Sequence, residues 1–498
     1  MAFCICLDKQ KYICIVVVVW SDERKIFLLP LEDLGIHIAE CFRVGGLDSG
    51  QGFLLLTREG ISMKGHFKKR WTRFVVAGAV MALVAGMGST LPNAFAGGTI
   101  KADDDKWISI GMGIRTSFNS VENGAPNGSH YSNDFTINNA RIYINGQIHK
   151  YVKFEFNTDC FNCQVSGGSV FGANFAGNSS IGLLDAIGKF EFNEMVNLWV
   201  GRMLLPSERG ELNGPFYHAT FDGFRTPFFP SDFSGNFNNA NGNGTEPLGG
   251  GAGLYGRDNA ATFWGKVHPG GTHLLYAFAV SQGLRGGANR GSSLMYTGRL
   301  QWNLLNDEPN PGYYTSGTYY GTAGDILAIA GSVQHQKDGA GSVPGALTGN
   351  TSDFTGLSVD VLFEKVLPNN MGVFTFNGEF KRFFANYGEG TAALNTNCFC
   401  VFNGHSWTVY ALYLIPQEIG IGRFQPYIRF TSIDPRYGQM RQEWEPGVNY
   451  VISGHNARVS AFYRYGDLMN HGGPAGGNYL QNGIGRVDSF HVALQLQY

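Results

Sequence analysis

Between residues 97 and 498 the chain has no stretch of about 18 or more apolar residues, which argues against a bundle of membrane-crossing helices there. Charge is scarce as well, with 15% of residues being Asp, Glu, Lys or Arg. No Gly-x-Ser-x-Gly elbow, HExxH pair or glycine-rich phosphate loop occurs. The 12 histidines are scattered, several beside predicted turns (His149, His268, His455), so no nucleophile–base pair can be read from spacing. The net charge of -2 becomes more acidic once residues 1–96 are set aside, which argues against nucleic acid as a partner. What the chain has in quantity is 70 glycines, 38 phenylalanines and 22 tyrosines, a composition that suits a glycine-jointed, aromatic-rich β protein.

The organising signal is a period of two. In the last eleven residues Phe490, Val492, Leu494, Leu496 and Tyr498 share one side, and His491, Ala493, Gln495 and Gln497 share the other. The same alternation starts at Trp107, with Ile108, Ile110, Met112 and Ile114 opposite Ser109, Gly111, Gly113 and Arg115. It continues with Ala140, Ile142, Ile144 and Ile148 against Arg141, Tyr143, Asn145 and Gln147, then with Val152, Phe154 and Phe156 against Lys153, Glu155 and Asn157. Further strands are predicted at about 183–192, 196–203, 258–267, 272–282, 293–303, 324–337, 353–366, 371–385, 405–415, 423–432, 444–453, 457–466 and 486–498, sixteen in all.

The connections alternate in length. Turns at 193–195, 268–271 and 453–456 are short, whereas 160–181, 338–352, 386–404 and 467–485 are long and polar. The 304–323 connection, with Pro309-Asn310-Pro311-Gly312, is an exception on the short side, and the longest connection, about 204–257, follows the fifth strand. Together these predict an all-β chain forming a transmembrane antiparallel β-barrel of about sixteen strands, with short turns at one end and long loops at the other.

Ending on an aromatic strand resembles the C-terminal signature of bacterial outer-membrane barrels. Four segments also resemble the phosphate-selective porin O and P family: Phe135–Gly146 (FTINNARIYING), Val200-Gly201-Arg202, Gly312-Tyr313-Tyr314 and Gln425-Pro426-Tyr427-Ile428-Arg429. The resemblance covers roughly 105–498 and implies a water-filled channel in outer-membrane lipid, a homotrimer, and a third outer loop folded into the lumen as a constriction. By ordinal position that loop is 204–257, carrying Glu208, Arg209, Glu211, Asp222 and Arg225. Small hydrophilic or anionic solutes are the implied partners, and no cofactor or metal is expected.

Upstream, Met63 opens a secretory signal: a basic start (Lys64, Lys68, Lys69, Arg70, Arg73), an apolar stretch from Phe74 to Gly88, and Ala94-Phe95-Ala96 as a small-x-small cleavage site. Residues 63–96 are therefore expected to be a cleaved signal peptide, 1–62 a mis-annotated extension, and 97–498 the barrel.

If the phase is right, basic side chains turned into the lumen are Arg115, Arg141, Lys153, Lys189, Lys266, Arg299, Lys381, Arg423, Arg429, Arg458 and Arg464. They outnumber the inward acids Glu155, Asp185, Glu191, Asp360, Glu364 and Glu379, and arginine-rich pores favour anions. A second role stays open, in which the arginines pair with loop carboxylates such as Glu208, Glu211, Asp222 and Asp232 and hold the loop. The loop aromatics Phe216, Tyr217, Phe221, Phe224, Phe228 and Phe229 leave a similar choice between a stacking track for sugars and pins against the wall. Cys160, Cys163, Cys398 and Cys400 fall in two predicted outer loops; four thiols could hold zinc, but an oxidising compartment favours structural disulfides. Alternatives to a channel are an adhesin or structural barrel, and a barrel hydrolase with a Ser and a His on its outer wall.

Overall fold

The computed structural model describes residues 2–8, 11–16, 98–103, 105–125, 127–161, 180–226, 257–283, 293–309, 315–341, 351–384, 403–436, 440–468 and 485–498. The chain divides into two units, residues 1–66 and 67–498. In the first, Ala2–Asp8 and Lys11–Val16 pair as an antiparallel hairpin. The expected signal segment, 63–96, lies outside the described residues, as does most of 1–62.

In the second unit the alternating segments are strands: β1 (Trp107–Val121), β2 (Asp134–His149), β3 (Val152–Phe161), β4 (Ser180–Glu191), β5 (Asn197–Leu204), β6 (Arg257–Val267), β7 (His273–Ser281) and β8 (Met295–Asn303). They continue as β9 (Ile326–Gly341), β10 (Thr351–Val366), β11 (Val373–Phe384), β12 (Gly404–Leu414), β13 (Arg423–Pro435), β14 (Arg441–Ser453), β15 (Ala457–Gly466) and β16 (Val487–Gln497). Each pairs antiparallel with its neighbours, and β16 pairs back on β1, so the sheet is a closed sixteen-stranded barrel. One extra strand, Gly98–Lys101, lies along the start of β1.

The alternation sorts side chains as expected. Met112, Leu300 and Val359 stand on the outside at 64%, 59% and 56% exposure, while Gln425, Asn449 and Gln495 on the other face are fully buried. An apolar outside is costly in water and natural in hydrocarbon, and closure is what lets a sheet enter hydrocarbon, since every backbone donor and acceptor then has a partner. The seam is completed by Met112 and Tyr498, whose backbones exchange both hydrogen bonds, at 2.8 and 2.7 Å.

Bulges adjust the phase. The register shifts between Arg115 and Thr116 on the β1–β2 ladder and between Asn157 and Thr158 on the β3–β4 ladder. Asp159, two residues past Asn157 and in the same phase, faces the lumen with 1% exposure.

Candidate functional site

Two connections from opposite ends fold into the lumen. The first is the described part of the connection after β5, 205–226, which includes a one-turn helix, α1 (Arg209–Leu212). The second is the described part of the connection between β8 and β9, where Glu308, Thr315, Ser316, Thr318, Tyr319 and Tyr320 are all buried. They touch directly: the Gly317 N–H donates to the Tyr217 carbonyl at 2.9 Å. A Cβ at position 317 would lie 2.5 Å from the Ala219 nitrogen, so only glycine permits this approach.

On the β8–β11 side the contacts are rich in carboxylates. Arg209 grips Glu308 through both terminal nitrogens (2.9 and 2.8 Å) and donates Nε to Asp360 at 3.1 Å. Arg299 on β8 forks onto the same Asp360 at 2.6 and 3.0 Å and reaches the Ser207 carbonyl at 2.8 Å. Lys381 on β11 sits between Glu208 (2.5 Å) and Glu379 (3.0 Å), and Glu379 also accepts from the Gly210 N–H at 2.8 Å. Burial and then the Glu208 charge push the Glu211 carboxyl well above the ordinary carboxylate range, against the opposing pull of Lys381. Glu364 on β10 accepts from Thr318 Oγ1 at 2.6 Å and from the backbone of Tyr319 and Gly321, so it anchors the second connection.

On the β13–β16 and β1 side the balance reverses. Arg458 donates to the His218 and Ala219 carbonyls at 2.9 and 3.0 Å, and Gln495 donates to the Phe216 carbonyl at 2.8 Å. Arg464 bonds Glu445 at 2.6 Å and also Asp222, while Arg115 lies 3.8 Å from Asp222 and bonds the Phe221 carbonyl. Arg429 bonds Glu445 and the Gly223 carbonyl, and Arg225 stands 3.3 Å from Glu443. Burial alone would raise the Asp222 carboxyl, but Arg464, Arg225 and Arg115 outweigh it and hold the group well below the usual range. The lumen thus has a carboxylate-rich side and an arginine-rich side, with the folded-in loop held to both.

Most residues anticipated for the pore or the loop fall among the described residues. Arg115, Arg141, Arg299, Lys381, Arg429, Arg458 and Arg464 are buried on the inner face. Arg141 donates to Asp159 at 2.8 Å, Lys153 to Glu191 at 2.6 Å and Lys266 to Asp307 at 2.9 Å. Arg423 is half-buried in phase with inward Gln425, Tyr427 and Arg429. Glu208, Arg209, Glu211 and Arg225 are buried, and the Asp222 side chain is one-third exposed. Phe221 packs on Phe462 and Phe224 on Tyr410, with ring centroids 6.1 and 5.0 Å apart, so these two rings pin the loop to the wall. Phe228, Phe229 and Asp232 lie outside the described residues. Cys160 is disulfide-bonded; Cys163, Cys398 and Cys400 are also outside them. Among the described residues no group of three His, Cys, Asp or Glu could hold a metal ion.

Inward wall acids absent from that expectation include Asp159, Asp258, Glu443 and Glu445, all buried. They reduce the expected excess of positive charge on the wall. Arg441, Glu443 and Glu445 alternate with Gln442 and Trp444 in a period of two; Arg441 and Glu443 precede the predicted strand 444–453, and Glu445 lies within it. The inward course of the β8–β9 connection had no sequence signal beyond its length.

At the short-turn end a cavity of about 730 Å³ opens inside the wall, among the first strands, the extra strand and residues 212–217 of the loop. Its lining includes Trp107, Arg141, Tyr143, Asp185, Asn213 and Tyr217.

No family model matches the chain, and no curated protein does. The resemblance to the phosphate-selective porins therefore rests on its sequence segments. Among solved structures the chain is similar to an anion-selective porin from Comamonas acidovorans (13% identity, 79% of this chain and 100% of that one, TM-score 0.46). It is similar to OmpF of Salmonella typhi in complex with daunomycin (12% identity, 80% and 100%, TM-score 0.46). It is also similar to the outer membrane channel DcaP of Acinetobacter baumannii (11% identity, 81% and 100%, TM-score 0.44).

Proposed function

We propose that this barrel is a non-enzymatic outer-membrane porin through which small hydrophilic solutes diffuse passively. The observation that carries this reading is the pairing of an apolar outer face with a lumen built from ion-paired side chains around a cavity of about 730 Å³. A soluble barrel would invert that arrangement, and a barrel that only anchors needs no polar space inside. The chain is exported through the inner membrane with cleavage after Ala96, residues 1–62 are a gene-model extension, and the working unit is a homotrimer.

Solutes pass the folded-in loop along the arginine-rich side, so small ions are selected in favour of anions. Because Asp222, Glu443 and Glu445 neutralise much of that side, the preference is modest and rests on residues nearer the mouth, Arg423 among them.

One observation favours a closed structural or adhesive barrel: the two connections that meet at Gly317 and Tyr217 fill part of the lumen. Conductance across a planar bilayer separates the readings. A porin gives discrete open-channel steps whose reversal potential under a salt gradient has the sign of anion preference, and a plugged barrel gives no steps.

A further inference from the structure

The cavity at the short-turn end contains polar capacity that the protein does not use. Asn213, just past α1, is 2% exposed, yet neither its amide nitrogen nor its amide oxygen has a hydrogen-bond partner in the protein. Across the cavity Asn157 on β3 gives its amide hydrogens to Glu155 (2.7 Å) and Asp185 (2.9 Å), while its Oδ1 has no partner. Both side chains line the space. Buried amides are nearly always satisfied, so unfilled groups on two side chains that line one cavity indicate a place for something that both donates and accepts.

Lys101 apart, the charged side chains in the lining are already engaged. Arg257 holds Asp185 through two bonds of 2.7 and 3.2 Å, Lys189 bonds Glu155, and Arg141 bonds Asp159. A charged ligand between Asn157 and Asn213 would have to break one of these pairs, whereas a neutral one need not. The hydroxyl group suits the open positions, since it can accept from Asn213 Nδ2 and donate to Asn213 Oδ1 or Asn157 Oδ1. The remaining lining includes the rings of Tyr143 and Tyr217 and the side chains of Leu204 and Leu212, apolar surface of the kind that packs against the C–H face of a pyranose. The volume is within the range of small-molecule sites, about 300–1,000 Å³.

We infer that this cavity is a binding subsite for a free, neutral mono- or disaccharide, held through Asn213 and Asn157 and stacked on Tyr143 or Tyr217. Binding itself does not depend on the porin reading; only its role in transport rests on that reading.

The test uses the folded full-length barrel in detergent, with maltose and glucose as probes in titration calorimetry and with inorganic phosphate as competitor. Saturable binding of either sugar is expected, weakened at least tenfold by Asn213→Ala and by Tyr217→Ala and changed less than threefold by Tyr217→Phe, with phosphate unable to compete at equal concentration. Resistance of the folded band to unfolding at room temperature on a gel verifies that each variant is still a barrel; if Tyr217→Ala is not, Asn157→Ala takes its place with the same tenfold expectation. No saturable sugar binding, binding indifferent to Asn213→Ala, or equal competition by phosphate overturns the assignment. Open-channel steps without sugar binding defeat this inference alone, and sugar binding by a barrel that never conducts defeats the porin reading alone.

Discussion

Arg209 and Glu308 come from opposite ends of the barrel and meet in its interior, guanidinium to carboxylate, with both partners buried. The first belongs to a connection from the long-loop end and the second to one from the short-turn end, so this pair ties two inward folds into one unit. Asp360 extends the tie to the wall through Arg209 and Arg299.

Removing Arg209 leaves Glu308 buried without its cation, while Asp360 retains Arg299. Breaking one partner of a buried pair costs about 3–5 kcal/mol. Arg209→Ala is therefore expected to lower the thermal midpoint and to raise single-channel conductance and current noise as both connections loosen. Unchanged conductance and midpoint would show that the tie does not hold the inner fold.

A second expectation concerns acid. His455, in the turn between β14 and β15, has Nε2 at 2.9 Å from the Thr318 carbonyl and 3.1 Å from Ser316 Oγ, and its ring meets those of Tyr320 and Tyr217. Burial, with Arg458 beside it, pushes its pKa down to about 3, although the backbone bond to Thr318 raises it. An unfolded histidine titrates near about 6.5. The folded value is the lower one, so between these limits the unfolded chain binds a proton that the folded chain refuses. The histidine's contribution is present above about 6.5 and is lost as pH falls toward about 3. Thermal midpoints measured from pH 7 to pH 4 should fall, and His455→Gln should reduce that slope. Identical slopes in the two proteins would exclude His455 as a source.

Selectivity provides a third. Arg423→Ala together with Arg429→Ala should move the reversal potential toward cations, because the first removes a mouth cation and the second leaves Glu445 with less positive charge beside it. The shift should be larger in dilute salt, since the screening length falls from about 30 Å at 0.01 M to about 3 Å at 1 M. A reversal potential unmoved at both salt concentrations, with channels still open, would exclude these two arginines from ion selection.

The fourth concerns processing. Material from the outer membrane should begin at Gly97 by N-terminal sequencing. Any product starting before Met63 would refute the gene-model reading of residues 1–62.

The wall was legible from its alternation because a barrel strand records its own orientation: lipid on one side and polar lumen on the other impose a period of two wherever no bulge or proline intervenes. Ile110 and Met112 against Ser109 and Gly113 could hardly be read otherwise. Asp159 lies one step beyond the inward residues expected on β3 and Glu443 one residue before the predicted start of β14, each in phase with its strand. Reading failed where local rules stop. The meeting of Arg209 with Glu308 joins residues far apart in the chain, and neither periodicity nor composition contains that distance. Of the two roles left open for the wall arginines, loop-holding is the one that matches the contacts of Arg115, Arg458 and Arg464 with the loop.

The seam between Met112 and Tyr498 also decides how such a molecule must be assembled. Its bonds join the first barrel strand to the sixteenth, so they contribute nothing until the strands between them have been arranged. Until then two strand edges stay open, each a template for another chain. Contacts of such high sequence separation make folding slow, and they favour assembly in which exposed edges are shielded until the ring can close.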